Sequence, residues 1–270
     1  PRPHKETIGL QNVMICEPLE LEYISANIEE LGHSCNIVDM ILEKQGVTYF
    51  LEQYHPDVVG ITGYISHVNI MKEYAREVKE YDPAIKTIIG GVHAEVNPGD
   101  FESEYVDYII RANGIRTFID ILNSLENKTS PEEIACVYGK NKPAAKKDLV
   151  FHYKFPDREK VDQYRSKYYY MFHRNCSLIK TSFGCPYNCK FCFCRQVMDD
   201  QYFARDLEDI IEELDQIKET RYFDCLSHYE GNLLFVGINY DEKDKTHTCR
   251  IEGYVKQEKA LVEKDLRGEK

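Results

Sequence analysis

The chain has 270 residues, of which 43% are hydrophobic and 30% charged, a balance that is ordinary for a protein with a packed core. This length allows two modest domains, each with a core of its own. The formal net charge of −12 argues against a nucleic-acid or anionic-membrane surface, because either surface needs a basic face. No apolar stretch approaches the roughly 20 residues that span a bilayer.

The cysteine content bears on the compartment. The N-terminus is polar and does not resemble a secretion signal, so we expect a cytoplasmic protein in a reducing environment. In that environment the ten cysteines are better interpreted as metal ligands and buried thiols than as disulfides.

Strands and helices alternate in the first part of the chain. Short β-branched strands interleaved with amphipathic helices predict an α/β fold with a doubly wound parallel sheet in a domain at 1–127. The strands are predicted at 12–16, 35–38, 58–61, 86–89 and 108–110, and the helices at 19–31, 48–54, 67–81 and 117–125.

The rest of the chain is predicted to form three further segments. Residues 128–176 contain three prolines and a polar run that favours a hairpin, so we interpret them as a linker. Residues 177–224 begin with a strand at 177–182 that runs into a cysteine-rich loop, and a helix is predicted from Asp206 to about Ile217. In residues 225–270, apolar runs at 233–240 and 246–251 flank a charged turn and predict a β-hairpin.

The cysteine-rich loop is the most specific motif of the sequence. Cys185, Cys189 and Cys192 have the spacing C-x3-C-x2-C. Thiolates are the usual ligands of iron–sulfur clusters, and three of them leave the fourth iron of a [4Fe–4S] cluster open to a substrate or cofactor. A zinc site is the alternative, with a fourth ligand from Cys194, Cys176 or a histidine. Free thiols that only pack are a third interpretation.

The segment from Leu178 to Glu213 resembles the opening of the radical S-adenosylmethionine (SAM) barrel, in which a first strand, a CxxxCxxC loop and a first helix follow one another. The resemblance implies that Cys185, Cys189 and Cys192 bind the cluster and that SAM chelates its open iron. Reduction by a protein such as flavodoxin or ferredoxin then cleaves SAM to a radical that acts on a small-molecule substrate. Phe191 matches the aromatic position near the adenine, although it also suits a core position.

In the N-terminal part, ligands are expected at the carboxyl ends of the parallel strands. Thr62 and Ser66 supply polar side chains there, and Gly90 and Gly91 permit the backbone to approach a ligand closely. A flavodoxin-like domain ahead of a CxxxCxxC loop resembles the cobalamin-binding domain of class B radical-SAM enzymes, and the stretches 58–62 and 88–94 carry the likeness. The motif D-x-H-x-x-G is missing, so cobalamin binding and a fold that has lost the cofactor both stay open.

The likeness to a radical-SAM barrel ends early. A complete barrel needs at least six strand–helix units, and after a second strand predicted at 221–224 the chain is expected to be truncated. The tail at 231–252 weakly resembles the end of AAA-ATPase-associated PD-(D/E)XK nuclease-like proteins. The alternative is a solvated hairpin followed by a charged helix at 256–266.

Three functions follow from these observations. The first is a radical-SAM enzyme, possessing cobalamin or lacking it, that catalyses methyl transfer or ring formation. The second is a cobalamin- or ligand-binding module whose truncated remainder does no chemistry. The third is a zinc-binding structural protein.

Overall fold

The computed structural model describes residues 13–139, 142, 153–171, 173–185, 187, 189–190, 192 and 201–219, and the backbone of 233–241, 246–257 and 260–265. The predicted hairpin at 139–148 and the predicted strand at 221–224 lie almost wholly outside these residues. The helices are α1 (Leu19–Glu29), α2 (Val47–Tyr54), α3 (Val68–Tyr81), α4 (Val92–Val96), α5 (Gly114–Glu126) and α6 (Leu207–Glu219). The strands are β1 (Met14–Ile15), β2 (Val58–Thr62), β3 (Lys86–Gly90), β4 (Tyr108–Ile109), β5 (Tyr169–Tyr170), β6 (His173–Arg174), β7 (Ser182–Gly184), β8 (Tyr202–Ala204), β9 (Leu233–Asp241), β10 (Thr246–Gln257) and β11 (Ala260–Asp265).

A three-stranded parallel sheet in the order β2-β3-β4 forms the centre of the N-terminal part. The middle strand is covered on both faces, because alternate side chains of a strand point to opposite sides. Ile89 packs with Met71 of α3 on one face. Ile88 packs with Ile121 of α5 on the other. The mixed α/β fold with a parallel sheet is therefore confirmed.

Two of the five predicted strands do not join this sheet. The predicted strand at 12–16 is reduced to β1, which pairs antiparallel with β5. Residues 35–38 form no strand, and Ile37 is buried instead against Val161 and Tyr164. The physical reason is that the 3-10 helix Arg158–Lys167 supplies an apolar surface on which this stretch packs without pairing its backbone.

A buried charged cluster attaches residues 153–178 to the first β/α loop. The side chain of Glu17 is fully buried, and its Oε1 accepts hydrogen bonds from Arg158 Nη1, Ser177 Oγ and the Leu178 N–H, each at 2.5 Å. Arg158 Nη2 donates to the carbonyl oxygen of Leu178 at 2.8 Å. We call these four residues the Glu17 clasp. Because Leu178 is held by its own N–H and C=O, the predicted strand at 177–182 begins only at Ser182.

The chain divides into two units. The first comprises the residues up to Leu178 together with Gly184–Tyr202, so the described part of 128–176 belongs to the same unit as the parallel sheet. In the second unit, Arg205 is buried and donates to Lys180 O and to Glu213 Oε2, both at 2.7 Å. The clasp and this ion pair thus stabilise different units.

The chain beyond residue 232 forms an antiparallel sheet in the order β11-β10-β9. Its third strand, β11, lies where a charged helix at 256–266 was the expectation, so that helix is wrong. Strands β7 and β8 form a separate two-stranded sheet. The radical-SAM barrel itself stays a prediction. Within the described part of the chain, none of the helices combines the length and apolar character needed to cross a bilayer.

The clasp has an acidic neighbour. Glu22 of α1 is completely buried, and neither of its carboxylate oxygens has a hydrogen-bond partner among the described residues. Arg158 Nη1 lies 3.7 Å from Glu22 Oε2, beyond hydrogen-bonding distance. Burial and the nearby Glu17 carboxylate raise the pKa of Glu22 to about 9, although Arg158 opposes the shift. Glu22 is therefore protonated at neutral pH.

This protonation predicts a pH-dependent stability. Folded Glu22 keeps its proton up to about pH 9, whereas in the unfolded chain it ionises near 4.5, so the folded state binds more protons between these values. The free energy of unfolding consequently falls as the pH rises through this range. We expect Glu22→Gln, which cannot ionise, to reduce the slope of the unfolding free energy against pH by up to about 1.4 kcal/mol per pH unit. The slope is measured by urea unfolding at about pH 6 and pH 8. Glu30→Gln, at the exposed C-terminal end of the same helix, is the control. Equal slopes in the wild type and Glu22→Gln would contradict the assignment.

Candidate functional site

The loops that follow β2 and β3 meet at one end of the parallel sheet. We call this end the carboxyl edge (residues 62–67 and 90–93). Gly91 has φ = +103°, and a Cβ atom on it would lie 2.6 Å from Thr62 Oγ1 and 3.3 Å from Gly63 O. Only glycine fits both the backbone conformation and the space. The structure thus brings two of the predicted site residues, Thr62 and Gly91, into direct proximity.

The other two predicted residues of this edge have different surroundings. Gly90 ends β3, and a Cβ on it would make only an ordinary contact, 3.9 Å from the Ile110 side chain. Its glycine character is therefore not required by packing. Ser66 lies in the 3-10 turn Ile65–His67 and is exposed. Its hydroxyl is available on the surface of the carboxyl edge.

A buried histidine organises the loop after β2. The Tyr64 N–H donates to His67 Nδ1 at 3.1 Å, which places the imidazole proton on Nε2. His67 is only 3% exposed, and its Nε2 has no hydrogen-bond partner among the described residues. Burial lowers the pKa of His67, so the ring is neutral at physiological pH. The edge therefore contains a buried, neutral N–H donor.

Apolar side chains are exposed around this donor. Tyr64 is 68% exposed and Ile65 is 70% exposed, although both are large hydrophobic residues. Val92, directly after Gly91, is exposed as well. An edge that combines exposed apolar surface with a few polar donors suits an organic ligand that has both apolar and hydrogen-bonding parts.

Sequence reasoning did not identify His67 as a site residue. In the sequence, histidines at loops and helix starts, such as His67 and His93, are typical of cap residues and do not by themselves indicate a site. His67 does cap the turn, and His93 pairs through Nε2 with Asp100 Oδ2 at 2.8 Å. The signal that separates them is that His67 Nε2 has no hydrogen-bond partner within the described ranges, which only the folded structure reveals.

The cysteine loop begins with a second constrained glycine. Gly184 has φ = +73°, and a Cβ on it would lie 1.9 Å from the backbone oxygen of Gln201. Cys185 and Cys192 are half-buried, Cys189 is exposed, and all three are free thiols. The Cys192 N–H donates to Cys189 O at 3.0 Å. Phe191, the predicted adenine contact, lies outside the described residues.

The donor set of the loop has the right chemistry for an iron–sulfur cluster, because all three residues are free thiols on one short segment. Their placement is a separate matter. In the described part of the chain, no group of three His, Cys, Asp or Glu side chains is close enough to hold a metal ion. The structure therefore does not gather the three thiols into a ligand set, and we derive no reaction step through a cluster.

Comparison with known proteins gives a family match for the N-terminal part and several relatives of the chain. Residues 8–122 match the family model of the B12 binding domain, so the likeness predicted for the N-terminal part is confirmed. The chain is 27% identical over 215 residues to the hopanoid C-3 methylase of Methylococcus capsulatus, covering 77% of this chain and 41% of that protein. It is 23% identical over 171 residues to the anaerobic magnesium-protoporphyrin IX monomethyl ester cyclase of Rubrivivax gelatinosus, covering 59% and 31%.

A third relative is an uncharacterized methyltransferase of Pyrococcus horikoshii, which is 24% identical over 229 residues, covering 77% of this chain and 48% of that protein. The chain therefore spans less than half the length of each of these three relatives. Their names describe proteins of two kinds, methyltransferases and a cyclase.

The close contact at Gly91 leads to a prediction about the carboxyl edge. Gly91→Ala adds a Cβ that collides with Thr62 and also strains a positive φ, so we expect it to cost about 1–3 kcal/mol of unfolding free energy. Gly32→Ala is a matched control, because Gly32 has φ = +94° but a Cβ there meets nothing within 4 Å. Urea unfolding of both variants separates the collision from the backbone strain. Equal destabilisation by the two substitutions would contradict a tight contact at the edge.

Proposed function

We propose that this chain is part of a radical-SAM enzyme that binds cobalamin at the carboxyl edge and catalyses methyl transfer or ring formation on a small-molecule substrate. The observation that carries the proposal is the buried N–H donor of His67 beside the exposed apolar surface of Tyr64 and Ile65. The match of residues 8–122 to the B12 binding domain supports cobalamin as the ligand. Relatives named as methyltransferases and as a cyclase support the two reaction classes.

Each residue of the carboxyl edge has a role in this proposal. The neutral His67 donates from Nε2 to an acceptor oxygen of the ligand. Thr62 and Ser66 offer hydroxyl groups, and Gly91, lacking a side chain, lets the loops after β2 and β3 lie together. Tyr64 and Ile65 cover apolar parts of the ligand and exclude water from it. Cobalamin, when bound, supplies a transferable methyl group, and the protein supplies its position and surroundings.

Cobalamin binding tests the first part of the proposal. The purified chain is mixed with hydroxocobalamin, and the dissociation constant is measured by titration while gel filtration checks retention. We expect His67→Asn to weaken cobalamin binding about 5- to 10-fold, which corresponds to one net hydrogen bond. Asparagine keeps an acceptor for the Tyr64 N–H but has no donor at the position of His67 Nε2. His33→Ala is the control, because His33 lies outside the carboxyl edge and its Nδ1 is 3.7 Å from Glu126 Oε1. A wild-type chain that retains no cobalamin would overturn the proposal, and equal binding by His67→Asn would remove His67 from the site.

Cysteine chemistry tests the second part. We further propose that Cys185, Cys189 and Cys192 hold a [4Fe–4S] cluster to which SAM binds, reduced by a protein such as flavodoxin or ferredoxin. Anaerobic reconstitution with iron and sulfide should give a broad absorption near about 400 nm that the Cys185/Cys189/Cys192→Ala variant lacks. A variant with alanine at Cys16, Cys35 and Cys136, three free cysteines elsewhere, is the matched control and should keep it.

Two other results would contradict the cluster. Stoichiometric zinc binding by the same three cysteines, with no iron chromophore, would favour the zinc-binding structural protein instead. A chromophore that survives in the triple variant would mean that other residues bind the iron.

A cluster that forms while SAM is never cleaved by the reduced protein would favour the ligand-binding module over the enzyme.

A further inference from the structure

We infer that Gly63 is a positioning residue for His67, because its lack of a side chain leaves the space in which the imidazole sits. This place is the one from which His67 Nε2 is proposed to donate to cobalamin, so the inference rests on the proposed function. It depends on three contacts of Gly63, which are with the His67 ring, with Met71 and with the loop that contains Gly91.

The first contact is between Gly63 and the imidazole. A Cβ on Gly63 would lie 3.0 Å from His67 Nδ1 and 3.1 Å from His67 Cβ. Non-bonded heavy atoms attract best at about 3.5–4.0 Å, so a methyl group at this position would press on the ring. His67 Nδ1 is also the atom that accepts the Tyr64 N–H. The methyl group would therefore disturb the hydrogen bond that orients the imidazole.

The second contact determines which neighbour would move. The same Cβ would lie 3.0 Å from Met71 Sδ. Met71 is completely buried in the core with Ile61 and Ile89, where packing leaves little free space. His67 instead ends a 3-10 turn whose residue Ile65 is exposed, and exposed turns shift more easily than a core. A methyl group on residue 63 would therefore displace the imidazole rather than the core side chain.

The third contact prevents the backbone of Gly63 from retreating. A Cβ on Gly91 would lie 3.3 Å from Gly63 O and 3.7 Å from Gly63 N, so the loop after β3 passes directly beside Gly63. The close approach requires glycine at position 91. The two glycines thus act together, because Gly91 confines the backbone of Gly63, and Gly63 leaves room for His67.

The alternative is that Gly63 only avoids a packing conflict and has no influence on the ligand. Gly60 of β2 is a matched control for this alternative. A Cβ on Gly60 would lie 3.1 Å from Phe118 Cε2 of α5, which is nearly the same degree of crowding. Neither Gly60 nor Gly63 has a positive φ, so alanine strains the backbone at neither position. The two substitutions differ in the ring that they crowd, Phe118 or His67.

Nitrogen NMR of the histidine rings tests the position of the imidazole in the full chain without ligand. The signals of His67 are identified by their loss in His67→Asn. We expect Gly63→Ala to shift the Nδ1 signal and to speed amide exchange at Tyr64 at least about 5-fold, since this amide loses its acceptor. Gly60→Ala should leave both measurements as in the wild type. Unchanged His67 signals in Gly63→Ala would overturn the inference.

Titration with hydroxocobalamin tests the consequence for binding. Gly63→Ala should weaken binding at least about 5-fold, and Gly60→Ala should stay within about 2-fold of the wild type. In the His67→Asn background the donor is already lost, so adding Gly63→Ala should change binding by less than about 2-fold. Losses that simply add in the double variant would overturn the inference, because Gly63 would then act on the ligand by another route.

The remaining outcomes are also distinguishable. A wild-type chain that retains no hydroxocobalamin overturns the proposed function, whereas unchanged ring signals in Gly63→Ala overturn the positioning role and leave cobalamin binding intact. If Gly63→Ala does not fold, the double variant Gly63→Ala/His67→Asn decides, because asparagine is smaller than the crowded ring. Recovery of folding supports the contact between Gly63 and His67. Failure of the double variant to fold, while His67→Asn folds, overturns it.

Discussion

The parallel sheet of this protein has to be covered on both faces, and most of the fold follows from that constraint. Ile88 and Ile89 are neighbours in β3, point to opposite faces and are both almost completely buried. A helix is consequently needed on each side, and α3 and α5 fill those positions. The connections that return from helix to strand use one end of the sheet, and those that leave the strands use the other. This second end is the carboxyl edge, where the chain can form irregular loops without exposing the core.

A buried ion pair connects distant parts of the chain, in addition to the packing that the sheet requires. Glu17 and Arg158 are 141 positions apart in the chain, yet the ion pair between them is buried. Burying an isolated charge is expensive, so each partner needs the other. The result is that the described residues from 153 to 178 form one unit with the parallel sheet. Residues 128–176, interpreted from the sequence as a linker, contribute Val161 and Tyr164 to the core of that unit.

The sequence is informative where local periodicity decides the structure. The helix predicted at 67–81 and the strand predicted at 86–89 agree with α3 and β3 to within one residue, because both have strong apolar patterns. The strand predicted at 35–38 fails, since its apolar residues are buried by a distant segment rather than by a neighbouring strand. Thr62 and Gly91 were identifiable by their position after strands. The burial of His67, and the lack of a partner for its Nε2 in the part of the chain that the structure describes, were not, because they depend on how the whole loop folds back.

The geometry of Arg158 also has a consequence for how this sequence can diverge. Its two terminal nitrogens contact different groups, Glu17 and Ser177 on one side and the carbonyl oxygen of Leu178 on the other. A lysine has a single nitrogen and cannot reach both sides, and a neutral residue leaves Glu17 buried without its counter-charge. We expect substitution of one residue to be tolerated only together with substitution of the other. We therefore expect positions 17 and 158 to vary together among relatives, although nothing in the linear sequence connects them.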